Sequence, residues 1–162
     1  MTSVRRIYVA SSWRCPAQPG AVVALREAGF EVYDFRHPAP NDDGFSWRDT
    51  DPEWRTWSGA TFCAALNHPL AIAGFKADHD AMVRADACVL VLPCGRSAHL
   101  EAGEFIGAGK PLVILLSGDD EPELMYRGAT AICLDLDEVI AALRRLPPGD
   151  GSDAHLAGGR IP

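Results

Sequence analysis

Long apolar runs are missing from this chain. No stretch approaches the roughly 20 consecutive apolar residues a helix needs to cross a bilayer, and residues 1–10 lack the apolar core of a signal peptide. Both absences point to a cytoplasmic protein with no membrane partner. Paired cysteines are missing too: Cys15, Cys63, Cys88, Cys94 and Cys133 are odd in number and include no CxxC spacing. Neither a disulfide framework nor a zinc site is indicated, and most of these cysteines lie in apolar segments, where the residue usually serves as a small core group. His37, His68, His79, His99 and His155 include no HxxxH pair on one helix, so no metal is expected. Basic charge is short as well. With 15 Lys and Arg against 22 Asp and Glu, the net charge of -7 argues against a nucleic-acid polymer as partner. Any nucleotide must be met by local donors.

What is present suits one soluble domain. A chain of 162 residues can build one full core but not two comfortable ones. Residues 7–10 read as a first strand, 20–28 as a helix closed by Gly29, and 31–35 as a second strand. Residues 37–58, rich in Pro, Asn, Asp, Gly and Trp, read as a long loop and a candidate lid or pocket wall. Helices are predicted at about 59–66 and 70–85, strands at 88–92, 112–116 and 131–134, and a last helix at 136–146. The polar, Gly/Pro-rich residues 147–162 read as a tail apart from a domain of residues 1–146. Such alternation predicts an α/β open parallel sheet with helices on both faces. Ligands in such folds bind at the carboxyl ends of the strands, where loops 11–19, 37–58 and 93–97 would meet.

The segment from Cys88 to Gly103 is the most informative. Cys88-Val-Leu-Val-Leu92 is apolar without alternation, as in a strand covered on both faces, and Pro93 with Gly95 ends it. Ser97 is a good N-cap, so Arg96, its hydroxyl and the free first-turn amides crowd a spot that favours an anion. At about 100° per residue, Ala98, Ala102, Phe105, Ile106 and Gly109 share one face, with Glu101 at its edge and Glu104 toward water. Glu101 either borders a pocket or complements the positive end of the helix. On the preceding helix Asp78 shares a stripe with Phe75, Ala81, Met82 and Ala85, where a carboxylate is costly unless something uses it. Asp80 lies between Lys76 and Arg84 as an ion-pairing residue. Asp86 reads as a turn or cap residue. Trp47, Trp54 and Trp57 either stack on a base or form a small core of their own.

Tyr8 in Ile7-Tyr-Val-Ala-Ser11-Ser12, Asp78 eight residues before Asp86, and Glu101-Ala-Gly103 followed by Gly109-Lys110-Pro111 resemble the nucleoside 2-deoxyribosyltransferase family. The resemblance runs from about Arg6 to Leu116. It implies a flavodoxin-like sheet with Glu101 as nucleophile, Asp78 as the acid or a sugar-positioning group, and Tyr8 orienting Glu101. No cofactor is implied. It also implies a homodimer or larger assembly in which a neighbour completes the pocket. The chemistry is cleavage of an N-glycosidic bond in a nucleoside or nucleotide, a carboxylate trapping the anomeric carbon while a second acid protonates the leaving base.

Transferases of the family commonly carry an acidic residue and Gly-Thr before the nucleophile's helix, where this chain has Pro93-Cys94-Gly95-Arg96-Ser97-Ala98. Gly95, Arg96 and Ser97, with Ser11, Ser12 and Arg14 on the first loop, resemble instead the branch that hydrolyses nucleoside monophosphates, as donors to a phosphate. Hydrolysis is therefore expected ahead of base exchange. Two other readings stay open: NAD hydrolysis, as in Toll/interleukin-receptor-type domains, and a non-catalytic nucleotide sensor, which would have no need of a carboxylate at the anomeric carbon.

Overall fold

The computed structural model describes residues 5–147. Five parallel strands, β1 (Arg6–Ala10), β2 (Glu31–Asp34), β3 (Ala87–Val91), β4 (Leu112–Leu115) and β5 (Ala131–Cys133), form one sheet in the order β2-β1-β3-β4-β5. Helices α1 (Gln18–Glu27), α2 (Trp47–Thr50), α3 (Gly59–Ala65), α4 (Pro69–Arg84), α5 (Arg96–Gly107) and α6 (Leu136–Arg145) lie between and after the strands. This is the flavodoxin-like order, and the predicted α/β sheet is what the chain builds. No helix among the described residues is long and apolar enough to cross a membrane. The described residues form two compact units, 5–33 with 82–147, and 34–81.

In the sheet unit, the central strands β1, β3 and β4 are apolar on both faces because both are covered. Every residue of β3 is buried, and in register Val89 lies between Val9 of β1 and Val113 of β4. One face carries Ile7, Val9, Val89, Val91, Val113 and Leu115 against Ala21, Val22 and Leu25 of α1 and Val139 and Leu143 of α6. Alternation sends Tyr8, Leu90 and Ile114 to the other face, and α5, which buries Ala98, Ala102 and Phe105, packs on β1, β3 and β4. α1 begins at Gln18, two residues before the predicted start, because Pro19 is tolerated in the first turn. Gly29, at a φ of 92°, then reverses the chain into β2. At α6, Asp135 accepts from Glu138 N at 2.8 Å while Glu138 accepts from Leu134 N at 2.8 Å, a reciprocal cap.

The Gly-Lys-Pro and Asp86 motif positions are structural. Lys110 Nζ donates to the carbonyls of Met82, Val83 and Ala85 at 3.1, 2.6 and 2.9 Å. Three carbonyls at a helix C-terminus are where a cation is favoured. Asp86 accepts from Arg6 N at 2.7 Å and pairs with its guanidinium at 3.6 Å, binding the start of β1 to that of β3.

Residues 34–81 correct the long-loop expectation. Within 37–58 the chain forms α2 and a 3-10 turn at Trp54–Thr56. Trp47 gathers Phe45, Trp57 and Phe62 edge-on at centroid distances of 4.8, 5.5 and 5.9 Å. Trp57 Nε1 donates to Asp51 at 2.6 Å. That bond, with one from Glu53 N, holds the Asp51 carboxyl below its ordinary range. Trp54 carries the Arg55 guanidinium 4.5 Å above its ring. Trp47 and Trp57 thus belong to a small aromatic core. Of the expected tail, 147–162, all but Pro147 lies outside the described residues, as does His155.

Candidate active site

The strand order reverses between β1 and β3, and open α/β sheets bind ligands at the carboxyl ends of the strands at such a point. The loops leaving these two strands are joined there. Ser11 Oγ donates to Val91 O at 2.8 Å, and Cys15 Sγ lies 3.6 Å from Leu92 O. Ser11 therefore has its hydroxyl proton engaged with β3, whereas Ser12 Oγ accepts from Arg14 N at 3.2 Å and closes a tight turn. The side chain of Arg14 is exposed.

α5 starts two residues earlier than predicted. Gly95, not Ser97, is the N-cap, and no side chain bonds the first-turn amides from the cap position. Ser97 is thereby a first-turn residue, exposed beside exposed Arg96. Among the described residues Arg96 forms no salt bridge, to Glu104 or to any other carboxylate. A guanidinium, a hydroxyl and free amides at one helix start suit an anion.

Glu101 follows on the same helix and is half-buried. Its charge reaches Cys88 and Cys94. Burial first, and then the Glu101 carboxylate, pushes the fully enclosed Cys88 thiol well up. Cys94 is pushed up to about 12 by burial, then Cys15, then Glu101. Glu101 accordingly stands beside two neutral thiols and an apolar sheet face. Tyr8 is wholly buried on that face, its ring stacked 5.4 Å from Tyr33 and tilted against Phe105 at 5.9 Å, one helical turn beyond Glu101. Glu104, expected to meet water, is half-buried and near enough to Lys110 to favour its charged form. Ile106, assigned to the buried face, is 40% exposed.

Asp78 belongs to residues 34–81 and is half-buried on α4. Of the stripe predicted for it, Ala81, Met82 and Ala85 are buried. Phe75, placed on that stripe from sequence, is 70% exposed and stacks on His79 at 5.6 Å. At 100° per residue it stands at the stripe's margin, where the helix turns outward. Asp80 pairs with Lys76 as expected.

One group at the site was not singled out in the sequence. His99 Nδ1 lies 2.9 Å from Gly95 O and 3.5 Å from Cys94 Sγ, while Nε2 lies 2.9 Å from the Tyr126 hydroxyl. Tyr126 sits in a 3-10 turn, Leu124–Gly128, separated from His99 by all of β4, and no local pattern marks the pair. Among the described residues no group of three His, Cys, Asp or Glu is arranged to hold a metal ion.

No family model matches the chain, and no curated protein matches it. Among solved structures it is similar to a 2-deoxyribosyltransferase of Bacillus psychrosaccharolyticus, with a TM-score of 0.57 and 21% identity over 83% of this chain and 90% of that one. It also aligns with a CMP N-glycosidase of Clostridium botulinum, with a TM-score of 0.48 and 18% identity over 86% of this chain and 99% of that one. The first likeness is one of fold.

Proposed function

We propose that this protein is an enzyme that cleaves the N-glycosidic bond of a nucleoside or nucleoside 5′-monophosphate, by hydrolysis, with Glu101 as nucleophile. The observation that carries the reading is the half-buried Glu101 carboxylate on the helix that leaves β3 at the sheet's reversal point. In the reaction a Glu101 oxygen bonds to the anomeric carbon as the carbon–nitrogen bond breaks, and the base leaves with a proton from a second acid. Water then attacks the same carbon and gives up a proton to the second acid, breaking the ester and restoring both groups. Tyr8 supports the helix through Phe105, and by the family resemblance it also orients Glu101. Asp78 takes the acid or sugar-positioning role on that resemblance and on its place among buried residues of α4.

Arg96 and Ser97, with the α5 amides and Arg14, are proposed to meet the 5′-phosphate, and the lack of a salt bridge at Arg96 among the described residues supports this. Ser11, Ser12 and Gly95 hold the shape of the two loops. Hydrolysis is favoured over base exchange because Cys94-Gly95-Arg96-Ser97 stands where transferases of the family carry an acidic residue and Gly-Thr. No cofactor enters the scheme.

Chromatography of free bases released from nucleosides, nucleoside monophosphates and NAD tests the reading. Release from monophosphates is expected to exceed release from nucleosides by about one to two orders of magnitude, the scale of lost charge-assisted hydrogen bonds. Arg96→Ala should erase that preference. Equal use of both classes, or efficient sugar transfer to an added base, would move the assignment to base exchange. Release of nicotinamide alone would make it an NAD hydrolase, and binding without release a sensor.

A further inference from the structure

The helix that carries Glu101 opens at a residue with no side chain. Gly95 cannot cap α5, and the backbone bond that should fasten its carbonyl, from His99 N, is 3.4 Å long. That is beyond the usual amide range. The His99 ring makes the closer contact to the same oxygen, at 2.9 Å. A carbonyl only accepts, so Nδ1 carries the hydrogen, and in a neutral imidazole Nε2 is then an acceptor. Tyr126 meets it as a donor at 2.9 Å, its ring parallel to the imidazole within 9°. The Leu124–Gly128 turn touches α5 again two turns on, where a Cβ on Gly128 would come 3.1 Å from Ile106 Cδ1.

We propose that His99, held in its Nδ1–H tautomer by Tyr126, is a positioning residue that fixes the Cys94-Gly95-Arg96 turn and so the placement of Arg96, Ser97 and the first amides of α5. The ring inside the helix donates to the carbonyl that the long backbone bond holds only weakly, leaves the first-turn amides free, and is locked in turn by a residue beyond β4. Glu101 is placed separately, through the buried Ala98, Ala102 and Phe105. Loosening the clamp therefore weakens substrate capture and leaves the chemical step. Burial raises the Tyr126 phenol, which keeps it protonated as the donor to Nε2.

This inference rests on the phosphate role given above to Arg96 and Ser97, and its test has an arm that does not. In the 15N-labelled full chain, long-range proton–nitrogen spectra of the ring should show His99 protonated at Nδ1, and Tyr126→Phe should let the Nε2–H form appear. Exchange of the His99 and Leu100 amides should quicken in the same variant. In base release from a nucleoside monophosphate, Tyr126→Phe should raise KM about tenfold, as for one lost hydrogen bond, with kcat within about twofold. His99→Asn, which keeps a donor toward Gly95 but cannot reach Tyr126, should match it, and His99→Leu should be worse in KM. An Nε2–H ring in the wild type, unchanged amide exchange in Tyr126→Phe, or a fall in kcat with KM unmoved would overturn the inference. A wild type that releases no base from any substrate would sink the proposed function alone, and the ring and amide spectra would then decide the positioning role.

Discussion

Glu101 and Cys94 stand close together and answer different questions. Glu101 is half-buried at the margin of a helix whose buried contacts come from Ala98, Ala102 and Phe105, so removing its side chain leaves those contacts in place. Loss of a nucleophile reduces rate by orders of magnitude, while loss of a carboxylate that only complements the helix dipole costs about 0.3–1 kcal/mol of stability. Glu101→Ala should therefore fold, melt within a few degrees of the parent and release no base; a folded, fully active variant refutes the nucleophile. Cys94 reports on alkaline stability. Its folded value of about 12 lies above the ordinary 9.0, so the fold keeps a proton that the unfolded chain loses, and stability falls as pH rises from about 9 toward 12. Cys88, Cys133 and Tyr126 are raised as well and act in the same direction, whereas Lys110, lowered by burial, acts in the opposite one. Melting temperatures should hold from pH 7 to about 9 and then drop, and Cys94→Ala should soften the drop. A melting temperature that climbs across this range would show the thiols to be less enclosed than they are here.

At the scale of elements, the strands were legible because a strand buried on both faces leaves an unbroken apolar run. β3 and β4, buried throughout, fall within one residue of their predicted ends. Helix starts were less so. Ser97 has the better side chain for a cap, yet the chain turns at Gly95, whose carbonyl is held by the His99 ring, a contact that no rule of adjacent residues anticipates. The same limit hid the His99–Tyr126 pair, which needs the sheet to bring it together, and it misplaced Phe75 by one step around α4. Residues 37–58 looked like loop because four Asp and three Pro interrupt any apolar period, although Ser46 and Ser58 cap the short helices α2 and α3. Glycine in α4 has a reason that only packing shows. A Cβ on Gly74 would stand 2.8 Å from Phe45 Cβ and 2.9 Å from its Cγ, atoms held close to the backbone. Gly74→Ala gains about 1 kcal/mol of helix propensity but overpacks the aromatic core by about 1–3 kcal/mol. A net loss is expected in chemical denaturation, with protease cutting first inside residues 34–81. A stabilised variant would mean that Phe45 can move aside.

For the whole molecule the telling quantity is where charge is absent. The chain carries -7, yet residues 57–75 contain no Asp, Glu, Lys or Arg. Within that run Phe62, Leu66, Leu70, Ile72 and Phe75 are between 45% and 70% exposed. On α4, Ile72, Phe75 and His79 share an outward face by their spacing of three and four, and Lys76 with Asp80 neutralises its border. Contiguous exposed apolar residues mark interaction surfaces, and an acidic chain meets its own copy with least repulsion where neither presents charge. A two-fold contact needs only such a self-complementary patch. We therefore propose that the homodimer or larger assembly implied by the family resemblance forms through this face. Light scattering should give at least twice the monomer mass, and added salt should strengthen the assembly modestly by screening the net charge. Ile72→Glu with Phe75→Glu should yield monomers while the sheet unit keeps its melting temperature. A monomeric parent at millimolar concentration, or an assembly indifferent to both glutamates, would place the contact elsewhere or abolish it.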